Sequence, residues 1–282
     1  MITLFSENGH VYDVKQGSFP DGTLHLSLPY DKMKCVEWKY ENDAELFTLI
    51  CIRKHYSNST MDLILPYIPH ARMDRVKAEE DVFTLKYFCE IINSLNFKGV
   101  YVLDAHSNVS LALLNNVIQM NVEKLIHNAI YRTTCEIAGH YDHNLRKEAE
   151  ENLIVFYPDE GSMKRYSDMI NMPYAFGIKK RDWKTGKILG LDIMNAELVK
   201  GKNILIIDDI CSRGGTFLHA AKALKTAGAN RIFLYVTHAE KTMVEGEMYN
   251  NLDLIERIYT ADSIFNIEWD CRNKVTIVNE LL

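Results

Sequence analysis

One stretch constrains this chain more than any other: residues 203–228, NILIIDDICSRGGTFLHAAKALKTAG. Asn203–Asp208 is an apolar run ending in carboxylates, the pattern of a strand buried on both faces of a parallel sheet. Gly214–Gly228 has helical spacing and is closed by Gly228, a residue type suited to a helix C-terminus. The loop between them carries Gly214-Gly215-Thr216. Glycines let backbone N–H groups approach an anion closely. A helix start adds unpaired donors and the positive end of the peptide dipole. Thr216 is placed to cap the helix. Asp208 and Asp209 would repel a phosphate but suit the hydroxyls of a sugar attached to it, or a cation. A sugar phosphate satisfies both halves of the motif.

The rest of the chain repeats the strand–turn–helix logic. Met61–Pro66 and Gly99–Leu103 read as buried strands, with helical spacing over Asp81–Ser94 between them. Asn152–Tyr157, Tyr174–Lys179 and Arg231–His238 read as further strands, and Met163–Ile170 as a short helix. Alternating strands and helices predict an α/β fold with mainly parallel sheets, linked by right-handed crossovers. Ligands in such folds sit beyond the carboxyl ends of the strands. The turns to read are therefore Pro69–Arg75, Asp104–His106, Pro158–Lys164, Lys179–Arg181 and Asp208–Thr216, each carrying polar or charged residues. Length and the charge-rich HYDHNLRKEAEEN segment suggest two domains, 1–135 and 136–267. A last segment, 268–282, is expected to return to the first domain.

Composition removes several function classes. The net charge of −6 speaks against a nucleic-acid binder relying on a positive field. The six cysteines include no C-x-x-C pair, against a zinc module or disulfide scaffold. No apolar run approaches the ~18 residues of a membrane helix. The N-terminus lacks a basic-then-apolar leader pattern, so a cytoplasmic protein is expected.

The order strand, two acids, loop, Gly-Gly-Thr and helix resembles the phosphoribosyl-pyrophosphate motif of the phosphoribosyltransferase fold. Four further segments are similar to signatures of the ribose-phosphate pyrophosphokinases. LPYIPHARMDRV at 65–76 resembles P-Y-x-P-Y-A-R-Q-D-R, with Arg72, Asp74 and Arg75 matching and His70 and Met73 departing. Asp104-Ala105-His106-Ser107 resembles D-L-H-A; PDEGSMKR at 158–165 resembles P-D-A-G-x-x-K-R; GSFPDGTL at 17–24 resembles F-S-D-G-E. The motifs run in order along nearly the whole chain. The resemblance implies two tandem phosphoribosyltransferase-like, Rossmann-like domains. It also implies transfer of the β,γ-diphosphoryl group of ATP to the C1 hydroxyl of ribose 5-phosphate.

By the same resemblance, Lys179 and Arg181 open a mobile catalytic loop with its tip at Trp183–Gly186. Phe19 and Asp21, donated by a neighbouring subunit, meet the adenine of ATP, with Arg72, Asp74 and His106 nearby. Asp159 and His106 correspond to Mg²⁺ positions. Asp208, Asp209, Ser212, Arg213, Gly214, Gly215 and Thr216 correspond to the ribose 5-phosphate site. A homo-oligomer, dimer or hexamer, is implied; no nucleic acid and no membrane partner is expected. Each site residue also has a plainer reading: His106 as a hydrogen-bonding core residue, Phe19 as an apolar contact, Lys179 to Arg181 as a basic surface turn.

The chain also departs from the family pattern. It lacks the helix expected between the opening strand and the GSFPDGTL segment, and Thr23 stands where the family has Glu. Ser212-Arg213-Gly214-Gly215-Thr216 replaces D-T-G-G-T, so the loop loses a carboxylate and gains a cation that reaches either the phosphate or solvent. Two other readings stay open: an inactive regulatory homologue of the same fold, and a base phosphoribosyltransferase, which would need only the second half.

Overall fold

In this computed structural model the described residues are 1–139, 143–181, 188–251 and 253–279. They form two compact units, Met1–Met120 and Asn121–Leu282. The first contains β1 (Ile2–Ser6), β2 (Val11–Asp13), β3 (Gln16–Ser18), β4 (Leu24–Leu26), β5 (Met33–Trp38), α1 (Ala44–His55), β6 (Asp62–Leu65), α2 (Thr84–Ser94), β7 (Val100–Leu103), α3 (Asn108–Leu113) and β8 (Val117–Met120). Its sheet runs β2-β1-β5-β6-β7-β8, parallel from β5 to β8, with β1 antiparallel to both its neighbours. β3 and β4 stand apart as a hairpin. No helix interrupts β1 to β4, in line with the sequence expectation that the helix before GSFPDGTL is missing. Leu63, Leu65, Val100 and Val102 of the central strands are buried against Leu49 and Ile52 of α1 and Phe88 and Ile92 of α2. α2 begins at Thr84 rather than Asp81, because the Asp81 carboxylate accepts the N–H groups of Lys77 and Ala78 and closes a turn instead.

The second unit contains α4 (Glu123–Ala138), α5 (His143–Glu151), β9 (Leu153–Tyr157), α6 (Glu160–Tyr166), β10 (Tyr174–Arg181), β11 (Ile188–Met194), β12 (Asn203–Cys211), α7 (Gly215–Thr226), β13 (Ile232–Ala239), α8 (Glu247–Asn250), β14 (Arg257–Ala261) and β15 (Val275–Val278). The sheet runs β11-β10-β9-β12-β13-β14-β15, parallel except for the β10–β11 pair. Every residue of β13 is buried, as a strand covered on both faces must be. β14 and β15 pair in parallel, and Asn128 of α4 donates to the Asn279 carbonyl. Residues 275–279 therefore complete the second sheet, where a return to the first domain had been expected.

The compact units divide at 120/121, before α4, where the sequence suggests 135/136, and α4 joins the second unit through buried apolar residues and ion pairs. Glu136 of α4 accepts Arg257 Nε and Nη2 at 3.1 and 2.9 Å and the Tyr259 hydroxyl at 2.8 Å. Arg231 donates to the Glu136 carbonyl at 3.1 Å and makes a two-pronged pair with Glu256 at 2.6 and 2.5 Å. Charge-assisted bonds thus fasten α4 to β14 and to Arg231 just before β13. Of the charge-rich stretch, the described residues 143–151 form α5, whose Ala149 is buried.

The Arg231 hydrogen bonds hold the Glu256 carboxyl below its ordinary value. A depressed acid contributes stability that is present above the unfolded value, here 4.5, and lost as the pH falls through the lower folded value. Arg231→Met is therefore expected to cost about 1 kcal/mol near neutral pH, the pair being partly solvated. The gap between the unfolding midpoints of variant and wild type should narrow as the pH falls through the lowered Glu256 value. A gap unchanged by acid would show that Glu256 does not provide it.

Candidate functional site

In the second unit the site grows from the end of β12. Asp209 is buried, and Arg165 of α6 donates to its carboxylate at 3.3 Å. The Asp209 N–H donates to Asp208 Oδ1 at 3.0 Å, and Asp208 itself is half-buried. The two carboxylates are thus differently held: Asp209 by a guanidinium, Asp208 by backbone.

α6 starts at Glu160, earlier than the expected Met163, because Asp159 caps it. The Asp159 carboxylate accepts the Ser162 N–H at 3.1 Å, and the Ser162 hydroxyl lies 3.4 Å from the Asp159 N–H. This reciprocal capping box sets the start of the helix that carries Arg165.

Beyond β12 the chain passes Ser212 and the exposed Arg213 to Gly214, whose φ of 74° lies in the left-handed region. Gly214 is the N-cap of α7, and no side chain caps that helix. This corrects the expectation for Thr216, which sits inside the first turn. The consequence favours an anion: the first-turn N–H groups of α7 keep no side-chain acceptor of their own.

The loop is pressed from one side by residues the sequence reading passed over. A Cβ at Gly214 would lie 2.5 Å from the Met248 Cβ, and one at Gly246 would lie 2.1 Å from the Arg213 carbonyl oxygen. Ser212 Oγ donates to Glu240 Oε2 at 2.6 Å. Nothing in the local sequence singles out Gly246 or Met248. Glu240, however, follows β13 directly, and the rule that sites lie beyond strand ends points to it.

β10 carries Lys179 opposite Leu191 and Arg181 opposite Ile188 of β11. The side chains of Lys179 and Arg181, and the proposed loop tip at 183–186, lie outside the described part of the structure.

In the first unit, the residues after β6 and β7 carry unusual backbone. His70 has φ 62° and Asp104 has φ 44°, both left-handed without being glycine. Such strain gathers at functional sites. His70 Nε2 lies 3.2 Å from Asp43 Oδ1, and Asp104 is buried. Arg75 donates through Nε to Asp74 at 2.8 Å and holds that carboxyl below the usual range, with His106 adding to the effect. His106 thus lies close enough to Asp74 to act on its charge, and Arg72, two residues before Asp74, is exposed. On the hairpin, Phe19 is half exposed, with its ring edge-on to His25 at 5.0 Å. Asp21 accepts the Thr23 N–H and hydroxyl at 3.0 and 2.7 Å. Thr23, where the family has Glu, thus closes the turn that presents Phe19.

Among the described residues no group of three or more His, Cys, Asp or Glu side chains is placed to hold a metal ion. No helix among them is long and apolar enough to cross a membrane.

Comparison with known proteins places likenesses along the whole chain. The Phosphoribosyl transferase domain family matches residues 149–275. The ribose-phosphate pyrophosphokinase of Pyrococcus furiosus is 24% identical over 285 aligned positions, covering 98% of this chain and 93% of that relative. That of Clostridium perfringens is 26% identical over 270 positions, covering 92% and 80%. Over nearly its whole length the chain is similar to proteins named ribose-phosphate pyrophosphokinase. The crystal structure of phosphoribosylpyrophosphate synthetase from Mycobacterium smegmatis has the same fold, with a TM-score of 0.73 at 18% identity over 96% of this chain and 87% of that one. The alignments with these relatives span both α/β units, not the second unit alone.

Proposed function

We propose that this chain is a ribose-phosphate diphosphokinase, converting ATP and ribose 5-phosphate to phosphoribosyl pyrophosphate and AMP. One observation carries the reading: the sugar-phosphate loop of the second unit is joined to a complete first α/β unit, and named pyrophosphokinases align over both. A base phosphoribosyltransferase would have no use for the first unit.

The residues divide the work as follows. The N–H groups at Gly214, Gly215 and Thr216 take the 5-phosphate. Asp208 accepts from the ribose hydroxyls, and Asp209, braced by Arg165, supports it. Arg72, Asp74 and His106 hold ATP, with Phe19 and Asp21 of a neighbouring subunit against the adenine. That arrangement requires a homo-oligomer. No G-x-x-x-x-G-K-[ST] loop exists in the chain, so these groups take its place. The C1 oxygen bonds to the β-phosphorus as the bond to the AMP oxygen breaks, and the C1 hydroxyl proton is lost. Lys179 and Arg181 neutralise charge on the transferring group.

Mg²⁺ typically takes one or two carboxylates and completes its shell with water and substrate phosphates. The Asp159 carboxylate, an oxygen donor at the start of α6, suits that habit. Asp159 and His106 are the proposed protein ligands; bound metal would neutralise the diphosphoryl oxygens.

Purified protein should release AMP only when ATP, Mg²⁺ and ribose 5-phosphate are all present. A folded sample supplied with Mg²⁺ that releases none would overturn the enzyme reading in favour of a regulatory homologue. Arg213 offers a finer test. Arg213→Thr removes one charge-assisted contact to the phosphate, and calorimetric titration should show ribose 5-phosphate binding about tenfold more weakly. ATP affinity should hardly change. Equal affinities for the sugar phosphate would mean that Arg213 faces only solvent.

A further inference from the structure

We infer that Glu240 is a positioning residue of the sugar-phosphate loop, acting through Ser212. The inference rests on the ribose 5-phosphate reading of that loop. A carboxylate beside an anion site calls for an explanation, since its charge opposes the ligand. Here the charge is turned onto two hydroxyls: Glu240 Oε2 accepts Ser212 Oγ at 2.6 Å and Thr242 Oγ1 at 3.4 Å. The Glu240 backbone N–H donates to the Cys211 carbonyl at 2.9 Å, closing a second tie across the same junction. The two ties join the end of β12 to the end of β13, just before the chain turns left-handed at Gly214.

The Ser212 hydroxyl proton is thereby spent on Glu240. Ser212 anchors the loop and leaves phosphate recognition to the N–H groups of 214–216. Pinning 212 matters because the neighbouring Gly214 is packed so closely on Met248 that a Cβ there would clash. The loop gives up the acid of the family's D-T-G-G-T at position 212, and the carboxylate at that place now comes from the end of β13. A short charge-assisted bond is stronger than a neutral one, and it orders the loop before the ligand arrives.

The test compares wild type, Glu240→Gln, Ser212→Ala and the double variant, by two independent measurements. The first is calorimetric titration with ribose 5-phosphate and, separately, with ATP. Each single variant should bind ribose 5-phosphate about tenfold more weakly, with ATP affinity and unfolding midpoint nearly unchanged. The double variant should be no weaker than the worse single one, because both changes break the same bond. The second is hydrogen exchange, which needs no ligand. In Glu240→Gln the amides of Glu240 and Leu218, bonded to the Cys211 and Gly214 carbonyls, should lose about tenfold in protection, while Val236 in β13 keeps its own.

Unchanged exchange together with unchanged sugar-phosphate affinity overturns the inference. So does a parallel loss of ATP binding and unfolding midpoint, which would make Glu240 a general structural residue. If wild type binds no ribose 5-phosphate while the exchange shift is seen, the ligand reading of the loop fails and the role of Glu240 in ordering it stands.

Discussion

Gly246→Ala is expected to be among the most damaging small substitutions in the second unit. The backbone at Gly246 has φ −84° and ψ 161°, which alanine adopts freely, so the dihedrals cost nothing. The obstacle is what faces it. The added methyl would lie 2.1, 2.6 and 2.8 Å from the O, C and Cα of Arg213. A flexible side-chain tip yields to such an intruder; backbone in a loop that Gly214 and Met248 also confine does not. Overpacking of this kind costs about 3 kcal/mol at the upper end of its usual range. Thermal unfolding of the variant should therefore begin several degrees lower, and ribose 5-phosphate affinity should fall by more than about tenfold as the Arg213–Gly214 peptide is displaced. Gly215→Ala is the control. Its methyl meets nothing within 4 Å, so stability should stay within about 0.5 kcal/mol of wild type. Equal behaviour of the two variants would show that the 240–248 segment does not bear on the loop.

Lys179→Ala is expected to lower kcat by about 10²–10³-fold, the usual loss when one preorganised donor to a transition-state charge is removed. The KM for ribose 5-phosphate should move little, since the proposed sugar-phosphate site lies at the end of β12 rather than of β10. An interaction realised only in the transition state lowers kcat and kcat/KM together. Steady-state AMP release at varied ribose 5-phosphate separates the two parameters. A near-normal kcat would return Lys179 to the plainer reading of a basic turn. Because Lys179 sits in strand β10, paired to Leu191, its loss should leave the sheet itself intact.

Much of the architecture was written in local pattern. The apolar runs ending at Asp104, Pro158 and Asp208 are strands in place, and Gly228, with φ 92°, lies just past the end of α7 as its composition suggested. Strand and helix periodicity are properties of consecutive residues, so they survive without knowledge of the partners. The loop that gathers Asp208, Asp209 and Gly214 was legible for the same reason: its parts are neighbours in the chain. The helix starts were less so. Asp81 and Asp159 are both acids before helical spacing, yet one closes a turn upstream of α2 and the other caps α6. Which backbone N–H groups an aspartate reaches depends on the path of the chain around it.

What the sequence by itself determined was the α/β class, the order of the strand-end turns and the anion-suited start of α7. What only the tertiary structure decided was every relation across the sheet. Glu136 reads as part of a solvated boundary until Arg257 and Tyr259 are brought to it, and it then assigns α4 to the second unit. Arg165 acquires a role only when α6 sets it against Asp209, and Glu240 only when parallel pairing of β12 with β13 lays the two strand ends side by side. Gly246 carries no local signal at all. The need for a missing side chain there arises from the Arg213 carbonyl, more than thirty residues away in sequence, and a close backbone approach leaves no trace in the periodicity of either segment.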